Sequence, residues 1–132
     1  NARRYLERLA GPDITLVENL AHPSEFFSRA AVMAYAPARG TGMKVKVLEA
    51  MAYGVPVVTT AEGAEGLAVE DGVHCGIRED DEGLAEATVA QLSDDKSRGG
   101  MRQAARELVE ARYSREPFLA QMLALYERVA HA

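Results

Sequence analysis

Apolar residues come in short runs over the first half of the chain and at helical spacing over the second. Residues 3–9 read as the closing turns of a helix, stopped by Gly11 and Pro12. Residues 14–17 (Ile-Thr-Leu-Val) form a β-branched run too short for a helix and bounded by turn residues. Pro23, Ser24 and Glu25 start a helix carrying Phe26, Phe27 and Ala30. Residues 31–36 are nearly all apolar, as expected of a parallel strand covered on both faces. The Pro and Gly content of residues 37–42 predicts a loop.

The next helix is expected over about residues 43–53. At about 100° per residue Val47, Met51, Leu48, Ala52 and Val45 share one arc, with Lys46, Glu49 and Tyr53 opposite. Gly54 stands where a left-handed C-cap is wanted. Residues 55–58 (Val-Pro-Val-Val) predict a second buried strand, with Pro56 tolerated at its start. Residues 67–69 and 73–77 flank Asp71-Gly72, a dipeptide suited to a tight β-turn. From Asp80 the pattern is helical, first with Leu84, Ala85, Thr88, Val89 and Leu92 on one arc, then with Met101, Ala105, Leu108 and Val109. Ser114 is placed to cap a third helix whose inner face carries Phe118, Met122, Leu125, Tyr126 and Val129. Alternating strands and helices predict an α/β fold, a Rossmann-like parallel sheet with flanking helices and a helical C-terminal tail.

Composition narrows the class. The 132 residues are 48% hydrophobic and 27% charged, which suits a soluble globular domain. A net charge of -5 argues against bulk nucleic-acid binding or a polybasic membrane patch. One cysteine, Cys75, cannot form an intramolecular disulfide, which fits a reducing compartment, and it is expected to be a buried structural thiol. No apolar run approaches the roughly 20 residues of a membrane span, and the first residues do not begin a signal peptide. A cytoplasmic location is therefore expected. His22, His74 and His131 match no metal-ligand spacing, so no metal site is expected.

Ligands of parallel α/β sheets bind in strand-to-helix loops. Residues 37–46 are the most distinctive such loop. Gly40 and Gly42 let backbone approach a ligand, and the helix behind offers unpaired N–H groups and partial positive charge. Arg39, Lys44 and Lys46 add three cations to an acidic chain. Together they describe an anion site, and phosphate is the usual anion. Lys46 and Glu49 are also spaced as a surface pair. A Walker loop and a dinucleotide fingerprint both fail: Gly-Lys-Ser/Thr is absent, and Val45 stands where a glycine would be needed. Glu49, on the polar arc, could accept two hydroxyl hydrogen bonds from a sugar or ribose.

The string from Pro37 to Val58 resembles the C-terminal domain of retaining GT-B glycosyltransferases of the large group 1 family, most specifically in Leu48-Glu-Ala-Met-Ala-Tyr-Gly-Val-Pro-Val-Val. The likeness continues through Thr60-Ala-Glu-Gly-Ala-Glu-Gly-Leu, Asp71-Gly-Val-His and Ala105-Arg-Glu-Leu-Val-Glu-Ala-Arg-Tyr-Ser, and so covers nearly all of residues 1–132.

The resemblance implies a nucleotide-sugar-binding domain that takes a nucleoside-diphosphate sugar donor for retaining transfer to an acceptor hydroxyl. Glu49 matches the acid that holds the ribose. Gly40, Thr41, Gly42, Lys44 and the amides of Val45 and Lys46 match the donor loop, Thr41 standing where the commoner pattern has an acid. Leu20 to His22 match the segment that packs on the nucleobase, and Glu65 matches the lining of the donor cleft. Lys46 and Arg39 are the expected catalytic cations, stabilising the departing diphosphate. No cofactor and no metal are implied, the nucleotide sugar being a substrate. The acceptor, a glycan, lipid or small molecule, is expected to bind an N-terminal domain that these residues do not include. The first strands of the C-terminal domain are expected to be missing too, and with them a direct pairing of residues 14–17 with residues 31–36. Alone, the chain is then expected to bind donor weakly and catalyse nothing, and any peripheral contact with the inner membrane face would run through the other domain. Two other readings stay open at this stage: a non-catalytic α/β nucleotide-binding or interaction domain, and a sugar-nucleotide epimerase of the same fold.

Overall fold

The computed structural model describes residues 2–40, 42 and 44–131. The elements run α1 (Ala2–Leu9), α2 (Pro23–Phe27), β1 (Met33–Tyr35), α3 (Val45–Ala52), β2 (Val57–Thr59), α4 (Ala61–Ala64), β3 (Gly76–Ile77), α5 (Asp81–Ser93), α6 (Asp95–Arg112) and α7 (Arg115–Ala130). The three strands form one parallel sheet in the order β1-β2-β3, with Met33 opposite Val57 and Val58 opposite Gly76.

β2 is the centre. Val57, Val58 and Thr59 are all buried. Successive side chains on a strand point to opposite faces, so both faces of β2 are covered. Pro56 donates nothing to the ladder, but its carbonyl accepts the Met33 N–H at 2.8 Å. Phe27, Val47, Ala50, Met51, Val55, Val57, Cys75 and Ala105 make one core cluster. Phe27 extends it by stacking on Tyr53, ring centroids 5.3 Å apart, which fastens α2 to the end of α3.

The α3–β2 junction follows its sequence closely. Gly54 has φ 71, and the Gly54 N–H donates to the Met51 carbonyl while the Val55 N–H donates to that of Ala50. This pair of bonds is a Schellman cap. Asp80 and Asp94 cap α5 and α6 by accepting the amides of Gly83 and of Lys96 and Ser97.

Several expectations change. Residues 14–17 form no strand: Gly11 and Ile14 exchange one pair of antiparallel hydrogen bonds, and Ile14, Leu16 and Val17 are exposed. Without a partner strand, β-branched propensity has no surface to act on. As expected, these residues do not pair with β1. β1 is three residues long, and Ala34 on one of its faces is exposed, so the strand is not covered on both sides.

The hairpin expected around Asp71-Gly72 is also absent. The turn forms, with Gly72 at φ 76, but β3 is only Gly76–Ile77 and pairs in parallel with β2. The Asp71 carboxylate accepts the Ile77 N–H at 2.7 Å and binds Arg78 at 3.1 Å, taking the place of a neighbouring strand.

On α5 the buried residue is Ala87, while Ala85, Val89 and Leu92 are exposed, so the inward face is rotated from the expected arc. On α3 the buried residues are Val47, Ala50 and Met51, with Val45 and Ala52 outward. α7 buries no residue, and Phe118, Leu125, Tyr126 and Val129 are exposed, because α6 is its main neighbour. Ser114 precedes α7, yet its hydroxyl donates backwards to the Glu110 carbonyl at 2.6 Å and closes α6.

Candidate functional site

The loop between β1 and α3 stands at the carboxyl ends of the strands. Gly40 and Gly42 have φ 72 and 73, a conformation that L side chains rarely adopt. A Cβ added at either would meet nothing within 4 Å, so these glycines serve the path of the backbone rather than packing. The turn delivers the chain to Lys44, at the N-cap of α3, where the Lys44 carbonyl accepts the Val47 and Leu48 amides. Helix geometry leaves the first amides without an intrahelical acceptor, and here these belong to Val45 and Lys46.

Two of the cavities that border the first turns of α3 hold residues singled out in the sequence. One, of about 450 Å³, is lined by Gly40, Gly42, Lys44, Leu48, Glu65, Gly66, Leu67 and Tyr113. Lys44 is only 2% exposed there. The other, of about 420 Å³, is lined by Pro23, Phe26, Phe27, Met33, Ala34, Tyr35, Lys46 and Glu49. One cavity thus carries glycine backbone, a lysine and a glutamate, and the other carries aromatic walls with a carboxylate and an ammonium group.

The expected residues fall into these places unevenly. Gly40, Gly42, Lys44 and Glu65 come together in the first cavity, and Lys46 and Glu49 in the second. Lys46 and Glu49 make no ion pair with each other. Arg39 lies beside the first cavity, its side chain 90% exposed and its Nε donating to Glu62 at 2.9 Å. Val45 is exposed at the start of α3. His22 is the exposed residue before α2, and its neighbour Pro23 lines the aromatic cavity. Leu20 lines a smaller pocket that shares Phe26 with that cavity. Thr41 lies outside the described residues.

Two neighbours escape a reading of the sequence. Tyr113, at the end of α6, lines the first cavity and accepts the Ala68 N–H at 2.7 Å, fixing the loop that carries Leu67. Glu62 is Arg39's partner, and its carboxyl is held below its usual range by a backbone hydrogen bond and then by the guanidinium. Neither contact has a local signal, since each joins segments far apart in the chain.

Among the described residues no group of three or more His, Cys, Asp or Glu is placed to hold a metal ion. No helix among them is long and apolar enough to cross a membrane.

Comparison with known proteins settles the family. The model for glycosyl transferases group 1 matches residues 1–94, well over half of the chain. The chain belongs to the group 1 glycosyltransferases. Its fold is that of a GT-B C-terminal domain: it matches the crystal structure of the C-terminal domain of a glycosyl transferase group 1 family protein, LpcC, from Francisella tularensis, with a TM-score of 0.67 and 23% identity. That match covers 74% of this chain and 52% of the other, so this glycosyltransferase chain spans about half the length of that structure. No curated protein matches the chain.

Proposed function

We propose that this glycosyltransferase domain binds a nucleoside-diphosphate sugar and presents it for transfer, with retention at the anomeric carbon, to an acceptor hydroxyl held by another domain. The observation that carries the reading is the pair of cavities at the start of α3. A nucleoside fits the one lined by Phe26, Tyr35 and Glu49, with the carboxylate accepting ribose hydroxyls. The diphosphate then lies across the first turn of α3, near Lys46 and the Val45 and Lys46 amides. The sugar extends toward Gly40, Gly42 and Glu65.

As the glycosidic bond breaks, negative charge grows on the diphosphate. Lys46, Arg39 and the helix terminus stabilise that charge more than they stabilise bound substrate, which is the condition for lowering a barrier. These roles need no metal ion. The work of the domain lies in glycan synthesis at a cytoplasmic site.

NMR titration with a panel of nucleoside diphosphates and their sugars tests the proposal. Amide shifts concentrated at Gly42, Val45, Lys46 and Glu49, with one base preferred, are the expected result. A null titration across the panel would leave a non-catalytic interaction domain as the better reading.

A further inference from the structure

One cation of the loop has a partner of its own. Arg39 Nε donates to Glu62 Oε1 at 2.9 Å, and the two residues line, with Gly40, Ala61 and Glu65, a cavity of about 330 Å³. That cavity shares Gly40 and Glu65 with the one at the start of α3. Glu62 is the better anchored partner, its side chain 29% exposed against 90% for Arg39. Glu62 sits on α4, which Thr60 joins to the buried Thr59 at the end of β2, while Arg39 sits on the loop before the two left-handed glycines. The guanidinium is the part that can move.

Resting on the donor reading above, we propose that Glu62 is an exchange partner for Arg39: it holds the guanidinium against α4 when the site is free, yields it to the diphosphate, and takes it back as the nucleoside diphosphate leaves. The physical case is one of competing anions. A pair this exposed is weak, so a diphosphate with several charges can outcompete a single carboxylate. The carboxylate recovers the guanidinium only as the nucleoside diphosphate dissociates, and by competing for Arg39 it lowers the affinity of the site for donor and product alike. Glu65 lines the same cavity without an ion pair among the described residues, so the choice of Glu62 as holder follows from geometry and not from charge alone.

The test is a double-variant cycle on the whole chain, with inorganic pyrophosphate and the preferred nucleoside diphosphate as probes. Glu62→Gln is expected to tighten both by up to about fivefold, the factor an exposed pair of this strength withholds. The gain should appear as slower dissociation. In the Arg39→Ala background Glu62→Gln should change nothing. An equal gain in that background would show a simple field effect and overturn the exchange, as would a full-sized gain from Glu65→Gln. Wild-type binding with no response to Glu62→Gln overturns the exchange alone, whereas no binding of either probe overturns the donor reading with it.

Discussion

Gly63 packs so close to the Thr59 hydroxyl oxygen that a Cβ at this position would overlap it. That hydroxyl is fully buried and donates to the Tyr35 carbonyl at 2.6 Å, so it cannot step aside. The contact ties the ends of β1 and β2 to α4, the helix that carries Glu62. Gly63→Ala should cost about 3 kcal/mol, at the upper end of ordinary overpacking. Urea denaturation measures it. Adding Thr59→Ala should recover part of the loss, and strict additivity of the two changes would contradict the steric explanation.

Cys75 is fully buried, and burial pushes its thiol up to about 11. The thiolate is the reactive form, so a thiol reagent at pH 8 should label the native chain at least about 100-fold more slowly than the unfolded one. Stability responds as well. Above the ordinary thiol pKa the unfolded chain gives up this proton first, so it binds fewer protons than the native state and stability falls as pH rises toward 11. Cys75→Ala should flatten that alkaline decline, whatever its own offset in stability.

Asp71 acts in the opposite direction. The Ile77 amide, followed by Arg78, holds its carboxyl below the usual range. Its contribution is present above the ordinary aspartate pKa and is lost as pH falls through the depressed one. Asp71→Asn should lower stability at neutral pH and shallow the acid limb of a stability-against-pH curve. An unchanged acid limb would show that the carboxylate does not hold β3.

Glu49 and Lys46 line the same cavity but should fail differently. Glu49→Gln is expected to weaken nucleoside diphosphate binding about tenfold, the loss of one charge-assisted hydrogen bond. Lys46→Ala, in a transferase carrying both domains, should reduce turnover more than donor affinity. Calorimetry reads the first and steady-state kinetics the second. Equal losses in affinity and rate for Lys46→Ala would remove its place in the transition state.

What the sequence conveys well is what neighbours in the chain decide. The Gly54 cap, the burial of Val57 and Val58 and the Asp80 helix start all rest on local spacing, and all appear in the fold. The errors come where a distant group intervenes. A strand at residues 14–17 needs a partner, and a hairpin at Asp71 loses to a side chain that takes the amide bond first. The face of α5 is set by the sheet it meets, which its own periodicity does not contain. In the candidate site the glycines, Lys44 and Glu49 are legible because they follow one another within ten residues, from the loop into α3. Tyr113 and Glu62 are not, since only folding brings them there.

The strand order of this sheet is the order of the chain. Each unit leaving the ribosome therefore meets an edge that is already waiting, and no earlier ladder has to open to admit a later strand. β1 can hold β2 before the residues of β3 exist, and α5 to α7 can add to a sheet already laid down. Assembly by growth at one edge suits synthesis from one end, and among these three strands it lets the loop between β1 and α3 take shape before β3 is made.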